Sequence, residues 1–204
     1  MSVLVHPTYF PSIAHCIAMV NSEEIVFEVA DNYQKQTYRN RALIYAANGK
    51  LALTIPVKYS QKNRQLYKDI KIANEDSNWQ LLHWKSLESA YKTSPFFEYY
   101  EDELRHLFFY KAENLMEHNF KCFETIMDCL QLDISINKTT SFEKEVSHKD
   151  FRPLVNARKE AKIELELYTQ VFSNKHGFIP NLSILDLLFN EGPNTLAYLE
   201  SHKL

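Results

Sequence analysis

"VLVHPTYFPSIAHCIAMVNSEEIVFEVA", Val3 to Ala30, changes hydrophobic rhythm twice. Val3 to Val5 form an apolar run that reads as a short buried strand, stopped by His6-Pro7. In "SIAHCIAMVNS" the apolar residues Ile13, Ile17 and Val20 keep helical spacing, and Ser12 stands where a helix needs an acceptor for its first free amides. "EIVFEVA", Glu24 to Ala30, returns to a β-rich pattern. The order is strand, helix, strand, a β-α-β start.

Downstream, "RALIYAANGKLALTIPV", Arg41 to Val57, reads as a hairpin, with Asn48-Gly49 suited to the positive φ angles of a type I′ turn. "KYSQKNRQLYKDIKIAN" is a basic loop, with Lys58, Lys62, Arg64, Lys68 and Lys71, that leads into a half-buried strand marked by Leu66, Ile70 and Ile72. Three helical stripes follow: Leu81, Trp84, Leu87 and Tyr91, capped by Asp76 or Ser77 and ended by Pro95; Phe97, Tyr100, Leu104 and Leu107; then Leu115, Asn119, Cys122, Ile126 and Cys129. "DISINKTTSF" is strand-like, and a polar connection runs from Glu143 to Lys162. A final helix is capped by Ser183 or Asn181 and ended by Gly192, with Pro193 in the first turn of another. The expected class is α/β or α+β: a small N-terminal sheet with a β-α-β start and a hairpin, followed by an α-helical C-terminal half.

With 204 residues, 45% of them hydrophobic, the chain can bury one sizeable core, and residues 1–204 read as a single domain. A net charge of −3 supplies no general attraction to nucleic acid or anionic lipid. No segment approaches the roughly 20 apolar residues of a membrane span, and the amino terminus has no leader pattern, so a cytoplasmic location is the expectation. Cys16, Cys122 and Cys129 form no C-x-x-C pair, and the seven-residue spacing of the last two assigns them to packing. No cofactor or metal is expected.

Glycine-rich phosphate loops, H-E-x-x-H and G-x-S-x-G are absent. "HPTYFPSIAHC", where a strand delivers polar residues to a helix start, is the natural place for a ligand, because that location offers free amides and a partial positive charge. His6, Tyr9 and Ser12 are the candidates there. In "YRNR", Tyr38 to Arg41, two arginines spaced two apart on an extended segment project to one side and can pinch an anion. Equally, they can pair internally with Glu28 or Asp31. Asn40 faces the other way and bonds nearby backbone.

The stretches "HPTYFPSIAH", "DNYQKQTYRNR", "LTIPV", "PFFEYY" and "GFIPNLSILDLLFNEGP" resemble the WbqC-like family, encoded among bacterial surface-polysaccharide genes. Its motifs fall on Pro7, Tyr9, Pro11, Asn40, Arg41, Leu182, Ser183, Asp186 and Phe189, and His6 stands where many members carry glutamine. The resemblance implies a phosphate-bearing small-molecule substrate, such as a nucleotide-linked sugar, and an acyl or aminoacyl transferase. The alternative is a noncatalytic binding or scaffold protein of the same pathway. On that view His6, Tyr9 and Asp186 are the catalytic candidates, while Arg39, Asn40, Arg41 and Ser183 hold the anion or substrate.

Overall fold

β1 (Ser2–Val5) and β2 (Glu24–Phe27) pair in parallel across α1 (Ile13–Val20), with Val3 opposite Ile25 and Val5 opposite Phe27. The structure, a computed structural model, describes residues 1–60, 64–75, 77–159 and 163–204. Ser12 caps α1: its Oγ accepts from the His15 amide at 3.5 Å. The helix is buried nearly all round, because its other faces meet the C-terminal helices rather than water.

After the first strands the chain leaves this sheet. β3 (Arg41–Ala46) and β4 (Gly49–Thr54) form the hairpin, while β5 (Val57–Lys58) and β6 (Lys71–Ile72) form a second antiparallel pair. Ala46 pairs with Gly49, leaving Ala47 and Asn48 as the loop, and of these turn residues Gly49 alone has positive φ, at 97°. The type I′ expectation is therefore corrected, since that turn needs two positive φ angles; a type I turn followed by a left-handed glycine fits instead. The half-buried strand expected through Leu66, Ile70 and Ile72 is interrupted by a 3-10 turn, Tyr67–Asp69, that places Tyr67 wholly inside. Lys62 and Asp76 lie outside the described residues, as does Lys162.

α2 (Trp79–Tyr91), α3 (Phe97–Arg105) and α4 (Leu115–Cys129) follow the three expected stripes, with Asn78 rather than Ser77 capping α2. Cys122 is buried and Cys129 only partly so. The chain then returns to the first sheet. β7 (Ser135–Lys138) adds in parallel outside β2, and β8 (Lys149–Asp150), a strand unmarked in the polar connection, adds in parallel outside β1. The order β7-β2-β1-β8 thus takes half its strands from the second half of the chain. A short α5 (Ser173–His176) precedes α6 (Ile184–Glu191) and α7 (Thr195–Ser201). No helix among the described residues is long and apolar enough to cross a membrane.

Three histidines are built into this core. His83 Nδ1 meets the Tyr9 hydroxyl at 2.9 Å, His118 Nδ1 meets that of Tyr110 at 2.6 Å, and His15 Nδ1 meets Ser12 Oγ at 2.9 Å. Burial pushes His83 from the ordinary 6.5 down to about 4, and His15 and His118 down to about 3. They are neutral when folded at pH values where the unfolded chain protonates them. Stability is therefore intact above pH 6.5 and lost as pH falls toward 4, by up to about 1.4 kcal/mol per unit for each histidine. Urea midpoints between pH 7 and pH 4.5 should fall steeply; a flat profile would contradict a neutral histidine core.

Gly192, which ends α6, has φ of 53°, and a Cβ there would sit 2.5 Å from the Phe96 ring. Gly192→Ala should cost about 2 to 4 kcal/mol, whereas Gly49→Ala should cost about 1 kcal/mol. At Gly49 a Cβ would meet nothing within 4 Å, so only the backbone strain remains. Denaturant titration of both variants checks the contrast.

Candidate functional site

His6 follows the last residue of β1, Glu28 the last of β2, and Asp150 closes β8, so three neighbouring parallel strands deliver polar groups to one end of the sheet. That end is where open α/β sheets bind ligands. A pocket of about 370 Å³ opens there, lined by His6, Asp31, Arg39, Phe142, Arg152 and Val155 among others.

Asp31 is its centre. One carboxylate oxygen, Oδ2, accepts from His6 Nε2 at 3.1 Å and from Arg39 Nη2 at 2.8 Å, while Oδ1 accepts from the Asn32 amide at 2.6 Å. Burial works against the charged carboxylate, but the His6 hydrogen bond and the Arg39 charge prevail and hold its pKa below the usual range. Burial lowers the pKa of His6. A neutral imidazole that donates from Nε2 carries no proton on Nδ1, and Nδ1 has no hydrogen-bond partner among the described residues.

Two arginines here have opposite characters. Arg152 donates from Nε and Nη2 to Asp150 at 3.0 and 2.8 Å, from Nη1 to Glu28 at 3.4 Å, and to the carbonyls of Glu143 and Lys144 at 2.6 and 3.2 Å. All its donors are engaged. Arg39 is 0% exposed, packs its guanidinium carbon 5.3 Å from the Tyr67 ring centroid, and gives only Nη2 to a described partner. Its Nε and Nη1 are buried without an acceptor among the described residues. An unanswered buried donor costs about 1 to 3 kcal/mol, more when it is charged, so this is a guanidinium with hydrogen-bonding capacity in reserve.

The other expected site residues are elsewhere. Tyr38 and Arg39 form a turn and Asn40 a bend, so "YRNR" is not extended, and Arg41, unlike Arg39, does not line this pocket. Arg41 instead begins β3 opposite Thr54. Asn40 gives its Nδ2 to the Ile55 carbonyl at 2.9 Å. Tyr9 is fully buried against His83, away from the pocket. Asp186 is likewise buried, where its carboxylate accepts from Tyr91 at 2.8 Å, Tyr168 at 2.6 Å and Gln170 at 2.9 Å; burial raises its pKa and those donors partly offset it.

Nor are the helix-start amides open to a ligand. Ile13 N donates to the Leu182 carbonyl at 2.9 Å, Ala14 N to Asn181 Oδ1 at 2.9 Å, and Ile184 N to the Pro11 carbonyl at 2.8 Å. The starts of α1 and α6 satisfy each other, with Ser183 Oγ on the Phe10 carbonyl at 3.1 Å. Of the basic loop, the described Lys58, Arg64, Lys68 and Lys71 do not line the pocket, and Lys58 pairs with Glu75 at 2.7 Å.

Sequence reading passed over Asp150 and Arg152, which lie in the stretch taken as a polar connection, and Phe142, which ends the strand-like stretch before it. The available signal was "DFRPLV", an arginine bracketed by an aromatic residue and a proline within a charged segment. A larger groove of about 520 Å³ between α3 and α4, lined by Tyr99, Glu103, Lys121 and Asp128, has no buried unpartnered polar atom on its walls. Among the described residues no group of three or more His, Cys, Asp or Glu side chains is arranged to hold a metal ion.

The model of the WbqC-like protein family matches residues 6–164, which takes in every pocket residue from His6 to Lys159 and leaves Ser183 and Asp186 outside. The chain is 25% identical over 228 residues to "Uncharacterized protein Rv1507c" of Mycobacterium tuberculosis (strain ATCC 25618 / H37Rv), covering 96% of each protein. No solved structure gives a significant match. Matched over well more than half its length, the chain belongs to the WbqC-like protein family.

Proposed function

We propose that this protein is an enzyme that binds a phosphate-bearing small molecule, a nucleotide-linked sugar or a related activated metabolite, at the carboxyl end of its parallel sheet. The observation that carries this reading is Arg39, a buried guanidinium on the pocket wall with Nε and Nη1 unanswered among the described residues. Guanidinium geometry matches two oxygens of a phosphate, and the buried Nε and Nη1, like His6 Nδ1, meet the ligand once its binding opens the pocket wall.

His6 supplies the proton chemistry. With Nε2–H on Asp31, the Nδ1 lone pair is the atom that takes a proton from an attacking amine or hydroxyl, and the Asp31 carboxylate stabilises the imidazolium that results. This suits transfer of an acyl or aminoacyl group to an amine on the sugar. Surface-polysaccharide biosynthesis is the setting that the family resemblance suggests.

A binding or scaffold role without turnover draws on one observation. His6 Nδ1 is buried, and such an atom takes a proton only if ligand binding opens a way to it. The two roles separate in a single pair of variants. Arg39→Lys keeps the charge that Asp31 needs but loses the fork, and should weaken binding of a nucleoside diphosphate about tenfold by calorimetry. His6→Gln should leave that affinity within a few-fold and reduce turnover about 10²- to 10⁴-fold, measured by mass spectrometry on pools of nucleotide sugars and acyl donors. Saturable binding with no turnover in the unmodified chain would favour the scaffold. Unchanged affinity in Arg39→Lys would remove the anion site.

A further inference from the structure

We infer that Phe142 is the stacking platform for the nucleobase of a nucleoside diphosphate ligand. This rests on the anion reading of the same pocket and adds what lies beyond the phosphates.

Phe142 belongs to the segment between β7 and β8 and is 47% exposed. A half-exposed aromatic ring in a loop is ordinarily free to move, but the backbone beside this one is held. Arg152 bonds the carbonyls of Glu143 and Lys144, the two residues after Phe142, while its guanidinium carbon lies 5.1 Å from the Phe142 ring centroid. The same arginine is anchored to Glu28 after β2 and to Asp150 of β8. One side chain therefore ties the loop to the sheet and supports the ring. What remains is an aromatic surface, positioned at the pocket and in contact with water.

The pocket has two kinds of lining. His6, Asp31 and Arg39 are polar and buried; Phe142, Pro153 and Val155 offer apolar surface. A free phosphate would use only the first kind and would fill a small part of about 370 Å³. A ligand with an anion at one end and a flat ring at the other uses both. Because every base has a π face, stacking on one ring adds affinity without demanding one particular base.

Calorimetric titration of the full chain with inorganic diphosphate, uridine diphosphate, adenosine diphosphate and glucose 1-phosphate tests this. Both nucleoside diphosphates should bind roughly tenfold tighter than inorganic diphosphate, within the range of one base stacked on one ring. Phe142→Ala should abolish that advantage and leave inorganic diphosphate unchanged, and Phe142→Trp should retain it. Melting curves of both variants should match the unmodified chain, since the ring is half exposed. If nucleoside and inorganic diphosphates bind alike, or if Phe142→Ala weakens both equally, the stacking inference is wrong and the anion site stands. A loss confined to glucose 1-phosphate would give the ring to the sugar and also overturn the inference. If none of the four ligands binds, the anion site itself fails and the platform with it.

Discussion

The site is organised around the Asp31 carboxylate and the arginine it holds. A guanidinium with 0% exposure is costly to bury, and breaking such a pair exposes the chain to roughly 3 to 5 kcal/mol, because the remaining charge stays inside. The fold answers with layers of contact. Asn119 of α4 donates to the Arg39 carbonyl at 2.6 Å and to the Tyr67 hydroxyl at 2.5 Å; that hydroxyl donates to the Pro7 carbonyl at 2.8 Å. The loop after β1, the 3-10 turn at Tyr67 and α4 are thus drawn together around one buried cation.

Against that background, what is left unsatisfied is informative. Asp186 is as deeply buried as Arg39, yet its oxygens take hydrogen bonds from Tyr91, Tyr168 and Gln170, which join α2, the 168–170 segment and α6. Arg152 engages every donor it has. These two behave as fold-holding groups, where complete pairing offsets desolvation. Arg39 and His6 differ in keeping buried nitrogens without partners among the described residues, in the same pocket, where neighbouring parallel strands end. On the proposed reading, incomplete pairing beside this cavity marks Arg39 and His6 as the binding groups.

Helix starts illustrate the reverse. The amides of α1 lie where a phosphate would be welcomed, but α6 is docked head to head against them, and each helix start supplies the carbonyls that the other needs. Serine at both caps, Ser12 and Ser183, lets two chain segments approach closely while still accepting a hydrogen bond. On the proposed reading, a ligand is met by side chains at the strand ends rather than by the backbone of a helix start.

Local rules were enough for much of this. The β-α-β start, the hairpin, three helices with their buried stripes, and the caps at Ser12 and Ser183 follow from spacing and side-chain chemistry over a few residues. His6 was legible as a candidate because a strand end before a proline-bracketed loop is visible in one short stretch. Only the tertiary structure decided the rest. β7 and β8 join a sheet begun more than a hundred residues earlier, and parallel pairing across that span leaves no local mark, least of all for a two-residue strand. Whether Arg39 turned toward Asp31 or stood beside Arg41 depended on a turn at Tyr38 and Arg39 that the alternation of residue types does not encode. Tyr9 and Asp186 carry the chemistry of a site and were drawn instead into the core, because a buried hydroxyl or carboxylate is settled by the partners that other elements bring to it.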